Sequence, residues 1–320
     1  MASCSKNTSV DITESSFSEA YSSTISQEST TKEPNTEEVS TEAFSEQTTQ
    51  PATEELTTEE LTTEENITQS SSAAVCEAVY VWSDKPNTCI GWSFKRNSDH
   101  LPTLGYNRNV NLSLYNAYYL GDTSEKIIYL TFDEGYEYGF TPAILDTLKE
   151  NDVKACFFLT KAFIKSHPEL AKRIKEEGHI AGNHTVTHPS LPSKNDDDIV
   201  YELEETARYY KEMTGYDMDM FLRPPMGEFS ERTLDISNQL GYKTIFWSLA
   251  YKDYDVNNQP GKEYAYQHVM NNYHPGGIFL LHAVSQSNTE ALDDIIKGLK
   301  AEGYTFKSLY DLPVYENISE

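Results

Sequence analysis

From Lys126 onward the chain alternates short apolar runs with longer stretches of helical period. Ile127 to Phe132 is β-branched, aromatic and otherwise apolar, and reads as a buried strand. The same criterion predicts strands over Ala155 to Leu159, Ile180 to Asn183, Phe221 to Arg223, Thr244 to Trp247 and Ile278 to Leu281, with a weak one near Phe306. Helical periods fall between them, over Thr141 to Glu150, Pro168 to Glu177, Asp196 to Thr214, Ser230 to Leu240, Lys262 to Asn272 and Thr289 to Glu302. Thr141 before Pro142 and Ser230 before Glu231 stand as N-caps, and Gly178, Gly215 and Gly241 fall where helices end. Strand and helix alternating about seven times predict a parallel sheet, most economically a distorted, closed or nearly closed (β/α) barrel of about seven parallel strands. A doubly wound open sheet is the alternative.

The preceding 125 residues behave differently. Residues 1–74 are Ser, Thr and Glu with few large apolar side chains, and include the repeat "EELTTEELTTEE" from Glu54 to Glu65. Such a segment cannot bury enough apolar surface to offset the entropy of ordering, so it is expected to be a disordered acidic tether. Between Asp11 and Glu65 it holds fifteen acidic residues, while the whole tether has only Lys6 and Lys32; this is half of the formal net charge of −26. That balance argues against nucleic acid, whose phosphates need Lys and Arg. Residues 75–125 are aromatic- and Asn-rich with few regular patterns, a lead-in expected to wrap a main domain of residues 126–320.

No apolar run approaches the roughly 20 residues of a membrane span, and no complete signal peptide is visible. "MASCSKN" resembles a lipoprotein cleavage site, in which Cys4 would carry lipid and the tether would space a domain from a membrane; an ordinary free cysteine is the other reading. Cys76 and Cys89 lie close enough in sequence to pair in an oxidising compartment. Cys156, inside the apolar "ACFFL", reads as a small buried hydrophobe.

Polar clusters recur where the predicted strands end. Asp133 and Glu134 follow the first, "GNHTVTHP" the third and Arg223 the fourth; Asp253 comes several residues after the fifth, and His282 follows the sixth. On a β/α barrel these ends open on one face, so distant residues converge on one pocket. His184 and His188, spaced i, i+4, would point the same way on a helical turn. With a carboxylate from Asp133 or Glu134 they could hold one divalent ion with positions left open; a solvated or capping pair of histidines is the plainer reading. Arg223 in "FLRPPMG" is stiffened by two prolines and could grip a carboxylate. His282 is poised for proton transfer if it faces the pocket.

"TFDEG", "HTVTH", "RPPMG", "WSLAYKDYD" and "LLH" stand in order. Together they resemble the polysaccharide deacetylases of carbohydrate esterase family four. "FKRN", "YNAYYLGD", "TFDEGYEYGFTP", "GNHTVTHPSL", "NNQPGKEYAY" and "SNTEALDD…GYTFKSL" are similar to the delta-lactam-biosynthetic de-N-acetylases of spore-forming bacteria, which act on muramic acid in cortex peptidoglycan. The resemblance runs from about Trp92 to Leu312. It implies that Asp133 is the general base, that His184 and His188 bind the metal, and that Arg223 orients the base. His282 would be the general acid and Asp253 the residue that holds it. The Met226 backbone N–H would help stabilise the oxyanion. Glu134 stands where the family usually has Asp and is expected as a further ligand to the metal, most simply zinc, or as a partner close behind the ligands. Ala250 replaces a common Asp, and Tyr254 stands where Trp is usual, able to wall an acetyl or sugar pocket.

The expectation is therefore a metal-dependent hydrolase that removes acetyl from N-acetylmuramic acid, acts outside the cytoplasm on peptidoglycan strands, and works as a monomer. Deacetylation of N-acetylglucosamine polymers is the enzymatic alternative. A wall-binding module with a dead site is the non-enzymatic one.

Overall fold

Side-chain direction along the central strand follows a period of two. In a computed structural model that describes residues 82–96, 99–106 and 109–314, the strand Ile127–Glu134 is buried at all eight positions. Ile127 and Tyr129 point into one apolar cluster, inside the barrel, with Phe158, Ile180, Phe221 and Ile278. Ile128, Leu130 and Phe132 point into another, shared with the helices. The tether of residues 1–74, with Cys4, and also Cys76, lie outside the described residues.

In chain order the strands are β1 (Ile90–Gly91), β2 (Ser93–Lys95), β3 (Leu104–Tyr106), β4 (Ala117–Tyr118), β5 (Ile127–Glu134), β6 (Cys156–Leu159), β7 (Ile180–Asn183), β8 (Phe221–Leu222), β9 (Glu228–Phe229), β10 (Lys243–Ile245), β11 (Gly277–His282) and β12 (Thr305–Phe306). The helices are α1 (Thr141–Glu150), α2 (Lys161–Ser166), α3 (Pro168–Glu176), α4 (Asp196–Thr214), α5 (Glu231–Gln239), α6 (Lys262–Asn272) and α7 (Gln286–Ala301). The main sheet runs β11-β5-β6-β7-β8-β10-β4, with β12 beside the start of β5, and its named strands pair in parallel. Past β10 the chain turns onto β11: Leu280 N donates to Leu249 O at 2.9 Å and Ser248 N to Ile278 O at 2.9 Å. These bonds curl the sheet into a distorted (β/α) barrel, as the alternating pattern predicts.

All seven expected strands lie in this sheet. Three departures have physical causes. β5 continues two residues beyond Phe132 because Asp133 and Glu134 pair with Phe158 and Leu159, and Asp133 also with His282. The lead-in supplies an eighth strand, β4, whose two residues are too few to show a period. It also anchors Trp92, wholly buried, through Nε1 to the Trp247 carbonyl at 2.9 Å. Thr141 is not the N-cap of α1: Phe140 holds that position without a side-chain bond, and the Thr141 hydroxyl turns to Glu134 and Glu137. Ser230 does cap α5, exchanging bonds with Thr233. No helix among the described residues is long and apolar enough to cross a membrane.

Candidate active site

A cleft with about 430 Å³ of open space lies at the carboxyl ends of the strands, lined by Asp133, His184, His188, Pro224, Met226, Gly227, Trp247, Tyr254, Leu280 and His282. Its apolar walls with a few convergent polar groups have the character of a small-molecule site. Each polar side chain is delivered by a strand end or by the loop that follows one.

Asp133 continues the inward row Ile127, Tyr129, Thr131 of β5. Its Oδ1 accepts from Arg223 Nη1 at 2.7 Å, and its Oδ2 lies 3.6 Å from His184 Nε2. Arg223, just past β8, is wholly buried. Its other nitrogens face the carbonyls of Ile245 at 3.2 Å and Phe246 at 3.5 Å, and its guanidinium lies 4.3 Å above the Phe158 ring. The group is thus fixed on several sides and aimed at one carboxylate oxygen.

His184 Nδ1 stands 2.8 Å from the Arg223 carbonyl. A carbonyl only accepts, so Nδ1 carries the hydrogen and the Nε2 lone pair is left for the cleft. Burial lowers the pKa of this imidazole despite the nearby Asp133 charge. The His188 pKa is lowered as well, by desolvation first and then by His184 and His282. Their rings lie 4.8 Å apart at 75°. The expected helical turn is absent. The convergence comes from a loop in which Thr185 (φ 72°) and His188 (φ 55°) adopt left-handed backbone, a conformation that costs on the order of 1–3 kcal/mol per residue. Asn183 Oδ1 takes the Thr185 N–H at 2.8 Å and Thr185 Oγ1 takes the His188 N–H at 3.0 Å, which hold the loop in that shape.

On the other wall, Asp253 is wholly buried and receives the His282 backbone N–H at 2.8 Å and its Nδ1 at 2.7 Å. Burial pulls the His282 pKa down, but the Asp253 charge and hydrogen bond, joined by the Asp133 charge, outweigh it and leave the pKa raised. Tyr254 sets its ring edge-on to His282 at 5.6 Å; burial, then Asp253 and Asp255, push its hydroxyl up to about 12, so it stays neutral. Met226 lines the cleft with left-handed backbone, φ 58°.

Glu134 does not join them. One position beyond Asp133 on the same strand, it points to the opposite face, is wholly buried, and accepts from the Thr141 hydroxyl at 3.2 Å. Its other oxygen has no partner. Burial, followed by the Glu137 charge, raises its pKa well above the ordinary carboxylate value. Cys156 is buried inside the barrel with its thiol pKa pushed up by desolvation, consistent with an inert hydrophobe.

Sequence reasoning assigned no role to Trp247, Leu280 or Asn288. Asn288 donates its amide to Asp253 Oδ2 at 2.5 Å and to the His282 carbonyl at 3.3 Å, while Tyr251 donates to its oxygen. The available signal was an Asn on the stripe of α7 otherwise made of Ala291, Leu292 and Ile295.

The profile described as polysaccharide deacetylase matches residues 120–245. Peptidoglycan-N-acetylmuramic acid deacetylase PdaA of Bacillus subtilis is 49% identical over 244 residues, which cover 76% of this chain and 90% of that protein. A solved structure of that protein, described as a family 4 carbohydrate esterase, superposes with a TM-score of 0.69 at 50% identity, covering 71% of this chain and 97% of that one. A peptidoglycan-N-acetylglucosamine deacetylase of Bacillus cereus is 35% identical over 193 residues, 59% of this chain and 69% of that protein. A relative this similar over nine-tenths of its length shares the whole domain, and the chain accordingly belongs to the polysaccharide deacetylases of carbohydrate esterase family 4, hydrolases that act on an amide bond.

Proposed function

We propose that this cleft removes acetyl from N-acetylmuramic acid in peptidoglycan, outside the cytoplasm. The observation that supports the reaction is the opposition of two hydrogen-bonded pairs, Arg223–Asp133 and Asp253–His282, across one cleft. Asp133, oriented by Arg223, takes a proton from water as its oxygen attacks the acetyl carbonyl carbon. His282, charged and held by Asp253, gives its proton to the sugar nitrogen as the C–N bond breaks, so acetate and a free amine leave. The Met226 N–H faces the developing oxyanion, and Tyr254, Trp247 and Leu280 wall the acetyl group.

The donor set fits a divalent ion, zinc foremost. Two neutral imidazoles and one carboxylate line the same space, and the His184 tautomer is fixed for coordination by Nε2. As the side chains stand, no group of three His, Cys, Asp or Glu among the described residues forms a ready cage; the fit rests on donor chemistry. His184 and His188 would hold the ion beside Asp133, without Glu134. When bound, it supplies Lewis-acid polarisation of the acetamide carbonyl and lowers the pKa of the attacking water.

Muramic acid is favoured over glucosamine by the greater identity to the relative named for it. The freed amine can close on the lactyl carboxyl as a lactam, which places the product in spore cortex. The N-terminal tether, with lipid on Cys4, would hold the enzyme at a membrane. Mass spectrometry after incubating the zinc-loaded protein with peptide-stripped peptidoglycan and with chito-oligosaccharides tests the substrate. Acetyl loss from muramic acid supports the reading, and loss confined to glucosamine replaces the substrate while keeping the reaction. No loss from either polymer overturns both.

A further inference from the structure

Glu202 lies on the buried stripe of α4, among Ile199, Leu203, Thr206 and Tyr210. It is 4% exposed, and a carboxylate so placed must be matched by donors. The donors come from one loop. Its Oε2 receives the consecutive backbone N–H groups of Val186 and Thr187, each at 2.8 Å, and its Oε1 receives the Thr187 hydroxyl at 2.6 Å. Two successive N–H groups converging on one oxygen make an anion-binding concavity, filled here by a side chain of the protein itself.

The residues it grips are the middle of His184-Thr185-Val186-Thr187-His188. That loop carries left-handed backbone at Thr185 and at His188, and its bonds from Asn183 and within itself fix only the Thr185 and His188 N–H groups. Glu202 fixes the two between. Without it, the Val186 and Thr187 N–H groups lose their side-chain acceptor and only the bonds at Thr185 and His188 oppose relaxation of the strained backbone toward ordinary φ, which would change the distance between the rings.

We propose that Glu202 is a positioning residue that sets the spacing of His184 and His188 for a divalent ion. The inference rests on reading those histidines as ligands. A helix charge otherwise unconnected with the reaction thereby holds two ligands whose spacing no regular secondary structure provides.

The experiment uses the full chain, stripped of metal. Zinc affinity is measured by competition with a chromophoric chelator for the wild type, Glu202→Gln and Glu202→Ala, alongside amide exchange at Val186 and Thr187 in the metal-free state. Outer partners of metal ligands commonly contribute about ten- to a hundredfold in affinity. The Gln variant, still able to accept part of these bonds, should lose about tenfold; the Ala variant should lose more; both should exchange the two amides faster. If Glu202→Ala does not fold, Glu202→Gln carries the test. Faster exchange with unchanged zinc affinity in a folded variant reduces Glu202 to structural glue and overturns the proposal. A wild type that takes up no zinc overturns the histidine reading itself.

Discussion

Arg223 Nη1 stands 2.7 Å from Asp133 Oδ1, with the guanidinium wholly buried. Truncating one partner of a buried pair leaves the other charge uncompensated, at a cost of about 3–5 kcal/mol. Arg223→Ala should therefore unfold at a markedly lower temperature. Arg223→Lys keeps the charge but cannot also reach the carbonyls of Ile245 and Phe246. It should remain folded and lose about a hundredfold in kcat, the scale of a misplaced catalytic group. Thermal melts beside steady-state rates separate the two effects; a Lys variant at wild-type rate would remove Arg223 from the orientation of the base.

His282 should set the alkaline limb of the rate profile. The acid acts in its protonated form, and its pKa is raised above the ordinary 6.5, so kcat should fall as pH climbs through that raised value. Asp253→Asn removes the largest of the contributions that raise this pKa against burial. The limb should then move to lower pH. Stability follows the same linkage: the contribution is full below the unfolded pKa and is lost as pH rises through the folded one, so the variant should show a flatter dependence there. Rate profiles and melts from pH 5 to 9 read both. An alkaline limb that stays put in the variant would mean another group titrates.

Asp133 and His282 are legible in the sequence because strand ends of a β/α barrel share a face, and both strands carry unmistakable apolar runs. The direction of Glu134 is not. Ending β5 at Phe132 leaves two carboxylates on a turn, where either can face the pocket; pairing through Leu159 makes them strand residues that must alternate. The spacing of His184 and His188 is visible along the chain, but its cause is not. A loop held by Asn183 and strained at Thr185 does what a helical turn was expected to do. Asn288 and Glu202 act through partners distant in sequence, and only their polarity on buried helix stripes marks them out.

Asn288 orients Asp253 with an amide whose own direction is fixed by Tyr251. Asn288→Ala should lower kcat about tenfold, a fraction of the 10²–10⁴ that a general acid supplies, with KM little changed. Asn288→Asp sets a second carboxylate beside Asp253 and should shift the alkaline limb as well, because like charges so close cannot both ionise freely. Tyr251→Phe should reproduce part of the kcat loss by releasing the amide to flip. Equal kcat in all three variants would reduce this network to packing.

Glu134 provides the sharpest separation between what the sequence suggests and what the strand imposes. Its carboxyl sits behind the catalytic row, against Thr141, with burial raising its pKa well above the carboxylate range. Folding then retains a proton that the unfolded chain releases at lower pH, so this group should cost stability as pH rises from the unfolded pKa toward the folded one. Glu134→Gln mimics the protonated acid in size and hydrogen bonding. It should leave zinc affinity and kcat/KM at the wild-type level and remove that loss of stability, read by melts from the ordinary carboxylate pKa upward. A variant that binds zinc more weakly would return Glu134 to the coordination sphere, and would require β5 to release its last residue from pairing with Leu159.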